Sequence, residues 1–185
     1  MKKWIKITEI LLLTLSSAIV VKAIDNPPTP PGFTNYTLLV SGVTVVTTSS
    51  DKFGIQGMTV TAFSSVSVNP PQILVCINSS ADTGDGIQES QSFAVNILSS
   101  NQENISNHFA GGSSQKERFE NTDWTAGETG SPILNDSLMS LDCKVVQKVL
   151  VGTHWIIIGE VQQSICRTGE PLVYYCGSYR QLAGG

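Results

Sequence analysis

Residues 57–71, Gly-Met-Thr-Val-Thr-Ala-Phe-Ser-Ser-Val-Ser-Val-Asn-Pro-Pro, read as one extended segment that carries five hydroxyl side chains with almost no bulk and stops at Pro70-Pro71. Small residues at Thr59, Thr61, Ala62 and Ser65 let another molecule approach the backbone N–H and C=O groups closely, which suits a flat polar ring. Outward from this run the periodicity is mostly that of strands. Val43, Val45 and Thr47 alternate with Thr44, Val46 and Thr48; Leu141, Cys143 and Val145 alternate with Asp142, Lys144 and Val146; Trp155 to Val161 is a β-rich run. Two short helices are expected over 81–90 and 100–110, with Ile87, Ile105 and Phe109 spaced for packing and Asp82, Asp85 and Ser99 as caps or first-turn residues. The expected fold class is mainly β, a closed antiparallel barrel with short peripheral helices.

Composition narrows the chemistry. A chain of 185 residues is most simply one domain with a core large enough to fold without staples. Cys76, Cys143, Cys166 and Cys176 show neither paired short spacings nor accompanying His ligands, so a metal site is not expected. Cys76 and Cys143 lie in apolar strand patterns and read as small buried hydrophobes; Cys166 and Cys176 could pair, the reduced state being the default. A net charge of −4 argues against nucleic acid. No G-x-G-x-x-G, P-loop, G-x-S-x-G or H-E-x-x-H is present, which removes the main support for Rossmann and hydrolytic mechanisms.

The N-terminus pulls the other way. Lys2, Lys3 and Lys6 precede an apolar run from Ile10 to Val21 that closes on Val21-Lys22-Ala23, so residues 1–23 read as a secretory signal, or else as an apolar helix packing on the barrel or a partner subunit. Residues 24–32, with Asn26-Pro-Pro-Thr-Pro-Pro-Gly32, form a stiff linker, and 33–185 the domain. Glycosylation-type sequons at Asn35, Asn78, Asn104 and Asn135 arise easily by chance in a chain rich in Asn, Ser and Thr.

The run from Gly57 to Pro71 resembles the flavin-binding strand of the flavin reductases. Other blocks follow in that family's order: Gly42 to Thr48; Ile73 to Asn78 with Ser80 and Thr83; Ser92 to Leu98 with Gln102 and Phe109-Ala110; Arg118-Phe119 with Trp124; Leu141-Asp142-Cys143; Gly152-Thr153-His154 leading to Gly159-Glu160-Val161; and Pro171 to Tyr175 with Gly177 and Tyr179. The resemblance spans roughly residues 40 to 182 and implies an antiparallel Greek-key split barrel that binds FMN, with FAD the alternative. The implied activity is transfer of a hydride from NADH or NADPH to flavin N5, with supply of reduced flavin to a partner monooxygenase and homodimerisation with flavin at the subunit interface. The alternative is a non-enzymatic electron-transfer protein like the flavoredoxins. The family is cytoplasmic, against the export or membrane anchoring that residues 1–23 favour, which would suit a secreted or membrane-tethered binding domain.

The resemblance also carries residues. Met58, Thr59, Val60, Thr61, Ala62 and Ser65 would line the isoalloxazine ring. Asn78, Ser80 and Thr83 stand between a strand and a helix start, where they hold the flavin phosphate or simply cap the helix. Lys116 and Arg118 would add charge there, or be solvated loop cations. Asn96, in an apolar strand, needs a partner, either flavin or backbone; Phe109 is carried over at family spacing. His154, with Tyr179, would position the nicotinamide away from the phosphate loop, the competing role being a strand-end histidine. His108 reads as surface or interface. Thr153 replaces a residue that the family usually has as an acid, and Cys176 a common basic one, which leaves NADH against NADPH open.

Overall fold

The computed structural model describes residues 40–182; the signal-like segment, the proline linker and Asn35 lie outside them. In chain order the elements are β1 (Ser41–Gly42), β2 (Thr44–Ser50), β3 (Gly54–Val60), β4 (Phe63–Val68), β5 (Pro71–Asn78), α1 (Asp82–Ser90), β6 (Ser92–Ile97), α2 (Glu103–Ala110), α3 (Gln115–Glu120), β7 (Trp124–Ala126), β8 (Pro132–Leu134), β9 (Met139–Val151), β10 (His154–Cys166), β11 (Val173–Tyr175) and β12 (Ser178–Arg180). Seven strands form the main antiparallel sheet in the order β3-β2-β6-β9-β10-β5-β4, beside a three-stranded sheet β1-β11-β12 and the pair β7-β8.

The opening run is not one strand. It breaks at Thr61-Ala62, where Phe63 N–H donates to Thr61 O at 3.1 Å in a tight local turn, and its halves become β3 and β4 at opposite ends of the seven-stranded order. The expected closed barrel is corrected accordingly: the ladder is not closed between β3 and β4. Period-2 reading cannot see this break, because a turn among small residues interrupts no hydrophobic pattern.

Strand alternation sends β2 side chains to two cores. Val46 joins Met58, Val60, Val75, Ile77, Ile87, Phe93 and Ile157 in the first. Val43 and Val45 join Leu98, Phe109, Leu134 and Leu172 in the second. The first core demands a bare backbone at Gly159, where a Cβ would lie 2.6 Å from Phe93 Cζ.

The N-cap of helix α1 is Ala81, whose side chain cannot cap it, with Asp82 and Asp85 in the first turn as expected. The expected Ser99 cap is displaced: Gln102 is the N-cap of α2, and its Oε1 accepts from Ser99 N–H at 3.0 Å. Helix α3 was not anticipated, although Ser114 and Glu117 make the reciprocal S-x-x-E capping box that signals it. The four cysteines are free thiols, with Cys166 and Cys176 exposed; burial, then the neighbouring Asp142, pushes the Cys143 thiol up to about 12.

Strands β9 and β10 make a long hairpin around Gly152-Thr153. Strand β6 pairs with β9 only as far as Lys144, so the outer part of the hairpin has one unpaired edge. Val146, Val149, Leu150 and Val151 there are 45–55% exposed.

Candidate functional site

The end of the sheet where β5 runs into α1 gathers polar groups from four elements. Asn78 Oδ1 accepts from Ser80 N–H at 3.0 Å and Ser80 Oγ at 2.9 Å, the side chain folding the loop on itself. Ala81 N–H then donates to Asn78 O, and Gly84 N–H to Ala81 O, delivering the chain into α1. Thr83, the second residue of that helix, is 1% exposed, and its Oγ1 has no hydrogen-bond partner among the described residues.

Helix α3 packs on β3, with Arg118 within electrostatic reach of Asp82 at the start of α1. Arg118 Nη1 donates to Gly57 O at 2.7 Å, while Gln115 Oε1 accepts from Gly57 N–H at 2.9 Å, so two side chains close the backbone of the β3 edge. Arg118 Nε is buried without a partner among the described residues. Burial pushes the guanidinium below its usual range and the charge of Asp82, at the start of α1, pulls it back up. Two buried polar donors without partners, beside a helix N-terminus whose cap is an alanine, fit the oxygens of an anion such as a flavin phosphate.

His154 opens β10 directly opposite Asn78 on β5, and Ser79 N–H donates to Thr153 O at 2.9 Å. The histidine therefore borders the loop it was expected to lie away from. The residue is 6% exposed, with Nδ1 2.9 Å from Thr153 Oγ1. Tyr179 belongs to another region: its hydroxyl bonds Ser106 Oγ and Asn107 Oδ1 on α2, both at 2.9 Å, and it lines a groove of about 410 Å³ with Glu103, Asn107 and Tyr174. Burial raises the Tyr179 pKa and nearby Glu103 adds to that, while the Ser106 bond lowers it.

The remaining expected residues divide by burial. Thr61, Ala62 and Ser65 are exposed at and just beyond the corner between β3 and β4. Met58 and Val60 turn their side chains into the first core, leaving only backbone for a ligand. Thr59 Oγ1 is committed to Ser106 O at 2.7 Å. For Asn96 and Lys116 the structure takes the other reading left open, a partner within the protein and a solvated cation, and for Phe109 the expected cofactor contact is corrected. Asn96 is fully buried, with its amide spent on Val45 O, Thr47 Oγ1, Leu134 N–H and Ser140 Oγ, because it ties β2, β8 and β9 together. Phe109 is a second-core residue packed edge-to-face on Phe119. Lys116 is exposed and pairs with Glu120 at 3.5 Å. His108 bonds Glu117 O at 3.1 Å and Ser113 at 3.4 Å, stitching α2 to the α3 segment. Gln115 was missed, although the capping box could have placed it on a helix; Thr153 was noted only as a departure from the family's usual acid.

Among the described residues no group of His, Cys, Asp and Glu could hold a metal ion, and no helix is long and apolar enough to cross a membrane.

The antiparallel sheets with few helices define a mainly β split-barrel protein whose loop-to-helix end would fit an anion. The particular family follows from sequence: residues 36–183 match the flavin reductase like domain, and the chain belongs to that family. It is 43% identical over 145 residues to the FMN reductase (NADH) RutF of Pseudomonas syringae, covering 78% of this chain and 81% of that protein. The NADH:FAD oxidoreductase SgcE6 of Streptomyces globisporus, solved with NAD and FAD fragments, superposes with a TM-score of 0.75 at 31% identity, over 80% of this chain and 88% of that one. BorF, the flavin reductase component of a bacterial two-component tryptophan halogenase, superposes at 0.75 and 29% identity, over 81% and 95%.

Proposed function

We propose that the chain reduces flavin with a nicotinamide nucleotide, holding FMN by its phosphate at the start of α1 and by its ring along the Thr61-Ala62 corner. It is an oxidoreductase of the flavin reductase class that takes FMN and NADH. The observation that carries the site reading is the pair of buried, unpartnered polar atoms, Thr83 Oγ1 and Arg118 Nε, beside that helix start. When bound, the flavin supplies hydride acceptance; the protein binds, orients and tunes. Thr83 and Arg118 would bind phosphate oxygens, Asn78 would hold the loop in shape, and the exposed Thr61 and Ala62 would admit the ring to the backbone. His154, beside the same loop, would orient the reductant.

Replacing Ser80 and Thr83 together by Ala should weaken FMN more than riboflavin, which lacks the phosphate, since hydrogen bonds to charged groups contribute about 1.5–3 kcal/mol each. Equal weakening of both ligands would reduce these residues to loop-shaping ones. His154→Ala should lower kcat/KM for NADH by about 10–100-fold, or about 1.4–2.7 kcal/mol, with flavin affinity hardly changed. Loss of flavin with normal use of NADH would move His154 from the nicotinamide to the flavin.

Two further relations extend the reading. The unpaired β9 edge and the apolar Val146, Val149, Leu150 and Val151 support self-association as a homodimer. Relatives that serve as reductase components support delivery of reduced flavin to a separate flavin-dependent enzyme, in the cytoplasm where nicotinamide nucleotides are reduced. Residues 1–32 are assigned no part in flavin binding. A chain beginning at Phe33 should fold and retain flavin; an insoluble or flavin-free product would place the apolar run in the fold.

A further inference from the structure

The middle of β3 touches two helices at neighbouring residues. Gly86 of α1 lies so close to Gln56 Oε1 that a Cβ would have no room, and α3 takes both backbone groups of Gly57 through Gln115 and Arg118. Thr83 stands three residues before Gly86, on the same face of α1. The first turn of α1 and Arg118 therefore share one corner. Thr83 and Gln56 are 1% and 5% exposed, and Thr83 Oγ1, Gln56 Oε1 and Arg118 Nε have no partner among the described residues.

The charge at this corner is mixed. Asp82 is the first residue of α1, exposed, and follows an N-cap alanine that offers the helix no side-chain oxygen. An acid there favours the helix, whose N-terminus carries partial positive charge. The same acid opposes an anion seated on the same N–H groups. Asp82 acts on Arg118 through space, favouring its charged form, while the direct ion pair on α3 among the described residues is Lys116 with Glu120. A phosphate held by Thr83 and Arg118 would lie in the field of a carboxylate that is bonded to neither.

We infer that Asp82 limits the affinity of this corner for phosphate, so that FMN is held as an exchangeable ligand rather than as tightly as the same donors would otherwise hold it. The inference rests on the reading that the flavin phosphate binds at the start of α1. It gives the acid two opposed effects: Asp82 stabilises α1 in the empty protein and weakens the ligand in the loaded one. An acid that only stabilised the helix would have the reverse signature, since its loss would loosen the first turn and weaken FMN.

The test is titration of the full chain and its Asp82→Asn variant with FMN and with riboflavin, at about 0.1 M and about 1 M salt, where the Debye length is about 10 Å and about 3 Å. At the lower salt Asp82→Asn should bind FMN about 3–10-fold tighter and riboflavin within about twofold of wild type; at the higher salt the gain should shrink below about twofold. Asp85→Asn removes an equal charge from the same turn, one that is not among the charges acting on Arg118, and should alter FMN affinity less than about twofold. Unchanged or weaker FMN binding by Asp82→Asn overturns the inference, as does an equal gain in Asp85→Asn, which would make the effect one of net charge. The underlying site is checked separately with Arg118→Ala. If that variant weakens FMN more than riboflavin while Asp82→Asn changes nothing, the inference alone fails; if it weakens both ligands alike, the phosphate is elsewhere and the inference falls with the site.

Discussion

The two ends of the main sheet come from one run of sequence and are treated in opposite ways. Strand β3 is covered: Gly57 to Val60 are buried, the backbone of Gly57 is taken by Gln115 and Arg118, and a Cβ at Gly57 would lie 2.9 Å from Phe109 Cε1. Strand β4 pairs with β5 on one side only, Ser64 to Val66 are exposed, and Val68 is 94% exposed. Small hydroxylated residues serve both ends for different reasons. Under α2 and α3 there is no room for bulk; on β4 nothing in the described chain demands it. A bare edge strand invites pairing with another chain, and β4 shares with the outer β9 strand an edge left unpaired among the described residues.

The largest effect that sharpens this contrast is expected at Gly57. Gly57→Val forces a side chain against Phe109 and Phe119 and should cost about 1–3 kcal/mol by overpacking. Ser65→Val on β4 should change stability by less than about 0.5 kcal/mol. Equal urea midpoints for the two variants would break the comparison.

Arg118→Ala should come next. It removes a charged hydrogen bond from Gly57 O, about 1.5–3 kcal/mol when fully made and less here because the side chain is only half-buried. FMN affinity should fall more than riboflavin affinity; a purely structural arginine would weaken both alike in a two-ligand titration. At the corner between the edges, Thr61→Trp should exclude flavin while leaving the thermal midpoint near wild type, since Thr61 is exposed. Full flavin retention in that variant would remove the ring from the corner.

On the uncovered side, Leu150→Asp should shift the sedimentation coefficient toward a monomer, Leu150 being 52% exposed beside the unpaired β9 edge. A dimer that survives would move the interface elsewhere. The smallest effect belongs to Lys116→Ala, which breaks only an exposed i,i+4 pair with Glu120 and should alter neither folding nor FMN binding measurably.

Much of this was legible from local pattern. The alternation at Val43 to Thr48 and Leu141 to Val146 gave β2 and β9, and Ile87 and Phe109 appear as the packing residues of α1 and α2. The candidate site was half legible. Asn78, Ser80 and Thr83 share the loop and first turn of α1, and Arg118 feels Asp82 there, whereas Asn96 and Phe109 proved to be interior and Lys116 solvated. A polar residue in an apolar strand looks the same in sequence whether its partner is a ligand or the backbone of the next strand.

The order of small, apolar and hydroxyl residues determined by itself the β class, the two longer helices and the family, because side-chain period and spacing follow directly from local backbone geometry. Tertiary structure alone decided that Gly57 to Val68 would break at Thr61-Ala62 and supply both edges of one sheet, and that Arg118 would reach Gly57 across 61 residues. Those outcomes depend on which distant surfaces pack and which buried polar groups find partners. No single stretch of chain encodes that balance.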